Sequence, residues 1–269
     1  MTGKILKRAY LLLMLLFIYL PILILAVYSF TEATQIGAIR AFSMKNYVTL
    51  FTTEELTGMI RGTLLLALGS ALIATILGTM GAIGAFYSGK RMSTLIHSLN
   101  QVPVVNADVV TGFSICILLV VVFHISKDTF IPLVAGHVTL CAPFVFLSVL
   151  PKIKQMDSSV YEAALDLGAT PWQALTKVII PQILPAIISG ALIAFSMSFD
   201  DFVISFFTAG VGINNISMYV YSMKRYNPGI NALSTLIVVV VTVILILVNV
   251  LPALREKRRK QALAASQRS

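Results

Sequence analysis

Residues 159–185 read SVYEAALDLGATPWQALTKVIIPQILP and lie between two long apolar runs. Ser159 and Glu162 have the Ser/Thr-x-x-Glu spacing of a capping box, which predicts that a short helix begins near Ser159. Gly168 suits the left-handed residue that closes a helix. The first half of this segment therefore predicts one short helix that ends just before Gly168.

A second helix is predicted directly after the first. Thr170 and Gln173 repeat the capping-box spacing, and Pro171 stands at the favoured first helical position. The small pair Ala163-Ala164 leaves one face of the first helix bare enough to lie in a groove of another protein. The segment, about residues 157–177, is thus interpreted as a helical hairpin with a docking surface.

The rest of the chain is mostly apolar. Of its 269 residues, 58% are hydrophobic and 12% charged, whereas soluble domains carry about 25% charged residues. Helices of roughly 20 apolar residues cross a bilayer and satisfy their own backbone hydrogen bonds. We expect an all-α integral membrane protein whose single transmembrane domain covers residues 1–269. The six predicted transmembrane helices lie near residues 9–30, 63–87, 103–123, 130–150, 178–199 and 232–254.

Lys and Arg positions predict the orientation, because these residues are enriched in cytoplasmic loops. Most of the 20 basic residues lie on the side of the hairpin. The other side holds only Arg40, Lys45, Arg61, Lys127, Lys224 and Arg225. Both termini and the hairpin are therefore expected in the cytoplasm, with the basic tail of residues 255–260 against anionic lipid headgroups. This bias accounts for the net charge of +9 without a nucleic-acid partner.

Several local features refine the predicted spans. The first span is expected to be a retained anchor, because no clean cleavage site follows it. Phe42, Tyr47 and Phe51 predict a short interfacial helix in the first outer loop. Gly78-x-x-Gly81-x-x-Gly84 predicts a close helix-packing face. Pro181 and Pro185 predict a bend where the hairpin enters the fifth span, although prolines are also frequent in membrane helices without such a role.

No catalytic or metal-binding constellation is visible. His97, His124 and His137 are scattered, with no partner spacing for a metal site or a catalytic triad. Residues 84–91, GAFYSGKR, are one residue short of a P-loop, because Arg91 stands where Ser or Thr should bind magnesium. The chain is therefore expected to need an external source of energy.

Three acidic residues fall within or at the edge of predicted spans: Asp108, Asp200 and Asp201. Charge in the hydrocarbon is costly, so such residues usually face a cavity or a partner. We expect Asp108 about two turns into the third span, and one member of the Asp200-Asp201 pair to face inward while the other packs or caps. Pairing with Lys or Arg on neighbouring helices is the alternative, but no basic residue lies mid-span to form such a pair. A substrate path is favoured, and acidic lining suits a cation.

Aromatic residues gather in the outer loop before the last span. Tyr219, Tyr221 and Met223 belong either to an interfacial belt or to an outer gate that holds an alkylammonium group by cation–π contact. Tyr19 is a further candidate for the same route.

The hairpin resembles the loop of ABC-importer membrane subunits, in which Glu-Ala-Ala is followed by a glycine and then by a proline. The matching residues are Glu162, Ala163, Ala164, Asp166, Gly168, Ala169, Val178, Ile180, Pro181 and Pro185. Residues 19–22, 28–30, 198–205 and 221–223 are similar to the second permease subunit of spermidine/putrescine importers. Ile180 departs conservatively from the leucine that is more usual before the proline.

The resemblance implies a type I ABC-importer permease fold and a role in polyamine import across a bacterial inner membrane. The loop between spans four and five, with Glu162, Gly168 and Pro181, would be the coupling helix that docks on an ATPase. The implied partners are a second permease, two cytosolic ATPase subunits that bind ATP and magnesium, and an extracytoplasmic binding protein. The chain itself would be a non-catalytic subunit without a cofactor.

Two other functions stay open. The chain could be an ABC permease for another solute, such as an anion, a sugar or ferric ion, although the acids at the span edges speak against an anion. It could also be a secondary transporter with Asp108 as a proton relay. Such a carrier would not need the hairpin and should transport without ATP.

Overall fold

The computed structural model describes residues 2–32, 41–157, 159–213, 215–223, 229–240 and 242–243, and these residues are almost entirely helical. Within them the only β-type pairing is a single bridge between Thr31 and Phe42. The helices are α1 (Thr2–Ser29), α2 (Lys45–Thr52), α3 (Glu54–Tyr87), α4 (Lys90–Val105), α5 (Asp108–Cys116), α6 (Phe130–Lys154), α7 (Ser159–Asp166), α8 (Pro171–Ala174), α9 (Ile180–Asp200), α10 (Val203–Thr208), α11 (Ile216–Ser222) and α12 (Gly229–Val240).

Among the described residues, four helical segments are long and apolar enough to cross a membrane: Leu6–Ser29, Glu54–Tyr87, Phe130–Lys154 and Pro171–Asp200. They correspond to the first, second, fourth and fifth predicted spans, so the chain is a multi-pass membrane protein. The second span begins earlier than expected, at Glu54, because Glu54 and Glu55 favour the positive end of a helix dipole. Most of the sixth predicted span, residues 232–254, and the basic tail of residues 255–260 lie outside the described residues.

The third predicted span, residues 103–123, is not one continuous helix. The helical segments Lys90–Val105 and Asp108–Val122 meet at an angle of 107° across Asn106 and Ala107, whose backbone is extended. The apolar run in the sequence concealed this break, because both arms are apolar and Pro103 is accommodated inside α4. The two arms together are either a broken span or a re-entrant segment.

The described chain divides into two compact units, one of residues up to Thr57 with those from Met223 onward, and the other of Gly58–Ser222. In the first unit, Asn46 of α2 donates hydrogen bonds from its amide to the carbonyl oxygens of Ser29 (3.0 Å) and Thr31 (2.8 Å). These bonds fasten α2 to the end of α1. The short helix expected in the first outer loop is therefore present.

The second unit is built around the contact between α6 and α9, and α3 also packs against α6. The Cys141 thiol donates to the carbonyl of Ala194 (3.2 Å), and the Ser148 hydroxyl to that of Ala186 (3.0 Å). A Cβ at Gly190 would lie 3.1 Å from the Cα of Val145, so the two backbones approach closely. Because lipid gives helices no hydrophobic reason to associate, such small-residue contacts and hydrogen bonds hold the bundle together.

The predicted glycine face on α3 is confirmed in part. A Cβ at Gly78 would lie 2.7 Å from both the Ala142 carbonyl oxygen and the Val145 Cβ, whereas one at Gly81 would touch Phe146 at 3.5 Å. Gly84 faces open space, with nothing within 4 Å of the same position. The close approach of α3 to α6 is thus concentrated at Gly78.

Candidate functional sites

The helical hairpin is present with the predicted turn chemistry. α7 ends at Asp166, and Gly168 has a φ of 84°, the left-handed conformation expected there. The Gly168 N–H donates to the Leu165 carbonyl (2.9 Å) and the Ala169 N–H to that of Ala164 (3.1 Å). These two bonds form a Schellman motif, which satisfies the last carbonyls of α7 and turns the chain.

α8 begins with the capping box predicted from Thr170 and Gln173. The Gln173 N–H donates to Thr170 Oγ1 (3.3 Å), and the Thr170 N–H donates to Gln173 Oε1 (3.0 Å). Pro171 is the first helical residue, where its missing N–H leaves no hydrogen bond unmade. The hairpin is therefore fixed by short-range hydrogen bonds on both sides of Gly168.

The start of α7 differs from the capping box predicted for Ser159 and Glu162. The helix begins at Ser159, but this residue is its first helical position, and the Asp157 carboxylate accepts the Ser159 N–H at 3.0 Å. Hydrogen bonds from the Ser159 backbone and side chain hold the pKa of the exposed Asp157 carboxyl below its usual value. Asp157, two residues earlier, thus supplies the capping acceptor that was predicted to be Ser159. Glu162 is exposed.

The hairpin has one packed face and one open face. Tyr161 and Leu175 pack against the core of the second unit, and Ala164 is half-buried. Glu162, Ala163 and Asp166 are exposed. Leu167 and Trp172 were not predicted as site residues from the sequence. Their side chains are 90% and 71% exposed. Two large apolar side chains thus stand on either side of Gly168, in the same hairpin as the exposed Glu162 and Asp166.

The entry of the hairpin into the fifth span is marked by a change of helix type rather than by a break. Residues Leu175–Ile179 form a π-helical turn directly before α9, in which Pro181 is the second residue. A proline cannot donate to the carbonyl four residues earlier and crowds it, and a wider turn relieves that conflict. The expected irregularity therefore lies on the hairpin side of Pro181, while Pro185 is accommodated inside α9.

Asp201 is buried at the corner between α9 and α10 and is 9% exposed. Its carboxylate accepts the N–H groups of Ile204 (3.2 Å) and Ser205 (2.9 Å), and so caps α10. Oδ2 also lies 3.6 Å from Nε2 of His137, which is fully buried on α6. Among the described residues, the ionisable partner of Asp201 is therefore a histidine of α6 rather than the Lys or Arg considered from the sequence, and the spacing of the three histidines did not indicate it.

Asp200 is exposed, unlike its neighbour. Its backbone carbonyl accepts the Ser217 hydroxyl of α11 at 3.2 Å. α11 begins at Ile216, and Asn215 directly before it accepts the Met218 N–H with its Oδ1 at 2.8 Å. The adjacent carboxylates of Asp200 and Asp201 therefore differ in surroundings, one open to a partner or solvent and the other enclosed.

Asp108 lies in the first turn of α5, directly after the 107° bend, and is exposed. It is not two turns inside a continuous helix, as the sequence suggested, because that helix is broken before it. A shallow, open surface depression of about 400 Å³ lies on the other arm of the bend and is lined by Ser98, Gln101, Val102, Val105 and Asn106. Polar side chains and the negative end of the α4 dipole thus border this space.

The candidate gate residues are placed as follows. Tyr221 is 71% exposed, and its ring centroid lies 4.2 Å from that of Phe202. Tyr219 is half-buried on the same helix, and its N–H donates to the Asn215 carbonyl (3.0 Å). Met223 and Tyr19 belong to the first unit, where Tyr19 is 54% exposed on α1. Within the second unit, Tyr221 is therefore the gate candidate with an accessible ring.

The chain is similar to known transport proteins over nearly its whole length. It is 34% identical over 259 residues to the putrescine transport system permease protein PotI of Escherichia coli K12, with 94% of this chain and 92% of that protein covered. It is 32% identical over 241 residues to the spermidine/putrescine transport system permease protein PotC of Haemophilus influenzae, covering 89% and 93%.

A solved structure shares the fold. A chain of a bacterial ABC transporter involved in the import of the acidic polysaccharide alginate superposes with a TM-score of 0.64 at 20% identity, covering 96% of this chain and 98% of that one. The family model described as binding-protein-dependent transport system inner membrane component matches residues 74–261. The chain therefore belongs to the family of inner membrane components of binding-protein-dependent transport systems.

Proposed function

We propose that this chain is a membrane-spanning permease subunit of an ATP-driven importer for polyamines. The similarity to PotI and PotC, which are named as putrescine and spermidine/putrescine permeases, supports the substrate class. The observation that carries the mechanism is the hairpin, which is rigidly closed at Gly168 and presents Leu167 and Trp172 outward. The chain supplies half of a translocation path, and a second, homologous permease supplies the other half.

The hairpin is the element that couples this path to an ATPase. Glu162, Ala163 and Asp166 of α7, with Leu167 and Trp172, form the face that enters a groove of the ATPase. Gly168 and Ala169 hold the angle between the two short helices through the Schellman bonds. Tyr161 and the π-helical turn before Pro181 pass a displacement of this face to α3 and α9. Each nucleotide state of the ATPase pair then favours one arrangement of the spans.

The path is lined by the exposed acids at two breaks in the helices. Asp108 follows the bend between α4 and α5, and Asp200 ends α9. Carboxylates and the negative end of a helix dipole attract ammonium groups. The exposed ring of Tyr221 adds a surface for cation–π contact. A polyamine, which carries several ammonium groups on a flexible apolar chain, matches this combination of acids, aromatic face and apolar walls.

The assembly contains six spans per permease, with both termini and the hairpin in the cytoplasm of a bacterial cell. Two ATPase subunits bind ATP and magnesium, and a binding protein on the outer side delivers the solute. The distribution of Lys and Arg supports this orientation. Residues 84–91 lack the Ser or Thr with which a P-loop binds magnesium, because Arg91 stands in its place. This supports ATP hydrolysis by a separate subunit.

The test is the stimulation of ATP hydrolysis by solute-loaded binding protein, measured on the whole complex in lipid nanodiscs. Putrescine or spermidine should stimulate hydrolysis, whereas an acidic oligosaccharide, methionine and ferric ion should not. Asp108→Asn should raise the half-maximal polyamine concentration about tenfold, equivalent to roughly 1.4 kcal/mol. Glu55→Gln, which removes an exposed carboxylate from the first turn of α3, is the matched control and should behave as wild type.

Other outcomes would select the alternatives. Stimulation by one of the other solutes, with none by polyamines, would make the chain an importer permease of different specificity. Solute uptake that follows a proton gradient in the absence of ATP would make it a secondary transporter with Asp108 as its relay. An Asp108→Asn variant with unchanged polyamine response would remove this residue from the path.

A further inference from the structure

The residue directly before the helix that carries Tyr221 belongs to a buried hydrogen-bond network. The members of this Asn215 network are His137, Ser205 and Asn215, which are all less than 5% exposed. His137 comes from α6, Ser205 from α10, and Asn215 directly precedes α11. The network therefore links three helices of the second unit, and the proposed path for the solute assigns it no role.

The backbone of α6 fixes one end of the network. Nδ1 of His137 lies 2.8 Å from the carbonyl oxygen of Leu133, which can only accept a hydrogen bond, so Nδ1 carries a hydrogen. In the neutral ring Nε2 is then an acceptor, and it lies 3.3 Å from Ser205 Oγ. The Ser205 hydroxyl is free to donate to it rather than to Asp201 Oδ2, at 3.1 Å, because both carboxylate oxygens already accept backbone N–H groups, those of Ile204 and Ser205.

The orientation of the Asn215 side chain is fixed at the other end. Its Oδ1 accepts the Met218 N–H at 2.8 Å, and because an N–H can only donate, the amide nitrogen must point the other way. Nδ2 donates to Ser205 Oγ at 2.7 Å and to the Asp201 carbonyl oxygen at 3.4 Å. One end of this side chain therefore caps α11, and the other holds α11 to the corner between α9 and α10.

A further hydrogen bond holds the same end of α11 to α3. The Ile216 N–H donates to Oγ1 of Thr63 at 3.0 Å, and Thr63 is fully buried. The Thr63 hydroxyl gives its own hydrogen to the Met59 carbonyl oxygen at 2.8 Å, so its oxygen is available to Ile216. Because a buried hydrogen bond is costly to leave unmade, the start of α11 has one defined place in the second unit.

The place of α11 decides where two aromatic rings meet. Phe202 directly follows Asp201, and Tyr221 lies six residues after Asn215, near the end of α11. The two ring centroids are 4.2 Å apart, and the rings are tilted by 31°. Phe202 is half-buried whereas Tyr221 is exposed, so Phe202 supports a ring that stays accessible.

We propose that Asn215 is a positioning residue for polyamine recognition, which acts by holding the Tyr221 ring on Phe202. This inference rests on the proposed place of Tyr221 in the polyamine path. Asn215 itself does not touch the solute, because its amide is buried and both ends of it are bonded within the protein. An ammonium group then meets a ring that is already ordered, which lowers the entropic cost of binding.

The first test observes the Tyr221 ring without any solute. The full chain is labelled with fluorotyrosine, held in lipid nanodiscs and studied by fluorine nuclear magnetic resonance. The signal that disappears in Tyr221→Phe belongs to Tyr221, and its position in Phe202→Leu gives the shift of the unstacked ring. Asn215→Ser keeps a side-chain oxygen that caps α11 but cannot reach Ser205. It should therefore move the Tyr221 signal toward the Phe202→Leu position.

Ser217→Ala is the matched control for this test. It removes another side-chain hydrogen bond at the start of α11, from the Ser217 hydroxyl to the Asp200 carbonyl, but that bond is exposed and water replaces it. Its Tyr221 signal should stay at the wild-type position. An Asn215→Ser signal that also stays there would overturn the proposal, as would a wild-type signal at the unstacked position. If Asn215→Ser does not accumulate, Ser205→Ala, which removes the acceptor of the Asn215 amide, is read in its place.

The second test separates positioning from general stability. In the whole complex, Asn215→Ser should raise the half-maximal polyamine concentration for stimulated ATP hydrolysis about two- to fivefold and leave the maximal rate unchanged. The double variant with Tyr221→Ala should be no worse than Tyr221→Ala alone, because Asn215 acts through that ring. Additive effects, or a lower maximal rate at an unchanged half-maximal concentration, would contradict the positioning role.

Failure of the proposed function gives a different result. A wild-type complex that polyamines do not stimulate would refute that function and, with it, the link of Asn215 to polyamines. The fluorine signals would still decide whether Asn215 places the Tyr221 ring, because they are recorded without solute.

Discussion

The rings of Tyr161 and Tyr87 lie 5.1 Å apart between centroids and are tilted by 47°, so that α7 of the hairpin rests on the last residue of α3. Tyr87 in turn meets Phe86 edge to face at 5.0 Å. Aromatic pairs of this geometry contribute about 0.5–1.5 kcal/mol beyond the burial of their area. The hairpin thus has a side-chain contact to a membrane span in addition to its covalent connections.

This contact should transmit movement of the hairpin. Tyr161→Ala removes the ring, and we expect solute-stimulated ATP hydrolysis to fall while basal hydrolysis and assembly remain. Tyr161→Phe keeps the ring and should behave as wild type. The measurement is the ratio of stimulated to basal hydrolysis in the purified complex. A full ratio in Tyr161→Ala would show that the Tyr87 contact has no part in coupling.

The exposed face of the hairpin should bind the ATPase without contributing to the stability of this chain. Trp172 and Leu167 are 71% and 90% exposed, so Trp172→Ala and Leu167→Ala should leave the thermal unfolding of the isolated chain within about 0.5 kcal/mol of wild type. Loss of a large apolar anchor from an interface costs 2 kcal/mol or more in binding, about thirtyfold. Copurification and affinity of the ATPase measure this effect.

The comparison has a matched control elsewhere in the chain. Phe51, on α2, is also a large apolar side chain and is 63% exposed, but it lies outside the hairpin. Phe51→Ala should retain the ATPase. Equal loss from all three variants would point to general damage rather than to a docking site.

Gly168 is expected to be sensitive to backbone conformation rather than to space. Its φ is 84°, and nothing lies within 4 Å of the position of a Cβ, so Gly168→Ala costs only the strain of the left-handed region, about 1–2 kcal/mol. Gly168→Asn should cost less, because Asn tolerates this conformation. Gly168→Asp adds a negative charge beside the exposed carboxylates of α7. It should leave the chain in the membrane but abolish ATPase association, as judged by copurification.

The order of these three variants is the diagnostic result. Asn should lie closest to wild type, then Ala, then Asp. Association that is normal in Gly168→Asp would contradict the role of the hairpin in docking.

Two glycines on α3 differ in their surroundings, so alanine substitutions at them distinguish the effect of close helix packing from that of helix propensity. Gly78→Ala places a Cβ 2.7 Å from the Ala142 carbonyl oxygen, and such overpacking costs typically 1–3 kcal/mol. Gly84→Ala meets nothing and should be neutral or stabilising by up to about 1 kcal/mol, the difference in helix propensity. Thermal unfolding in detergent measures both. Similar melting temperatures for the two variants would argue against the close contact of α3 with α6.

The sequence was sufficient where structure depends on neighbouring residues. The closure of α7 at Gly168 and the capping box of Thr170 with Gln173 follow from local spacing, and both are present. The start of α7 was misassigned, because Asp157 lies just outside the pattern and competes successfully for the same N–H. Apolar runs also located four of the spans, since length and composition decide whether a helix can cross a bilayer.

Features that depend on distant residues could not be predicted. His137 and Ser205 are 68 positions apart, and nothing in the spacing of the three histidines indicates that one of them meets Asp201. The break at Asn106 and Ala107 lies inside an apolar run, where hydropathy does not change. The exposure of Leu167 and Trp172 also depends on which face of the hairpin packs against the bundle. A large apolar residue directly beside a helix-ending glycine is the local signal that was available.

The account is tested most directly by uptake of labelled putrescine into proteoliposomes that contain both permeases and the ATPase, with the binding protein added outside. We expect accumulation only when ATP is enclosed on the ATPase side, with competition by spermidine and loss in Gly168→Asp. Accumulation that is independent of ATP, or a complex that hydrolyses ATP and imports another solute but no polyamine, would contradict the proposed function.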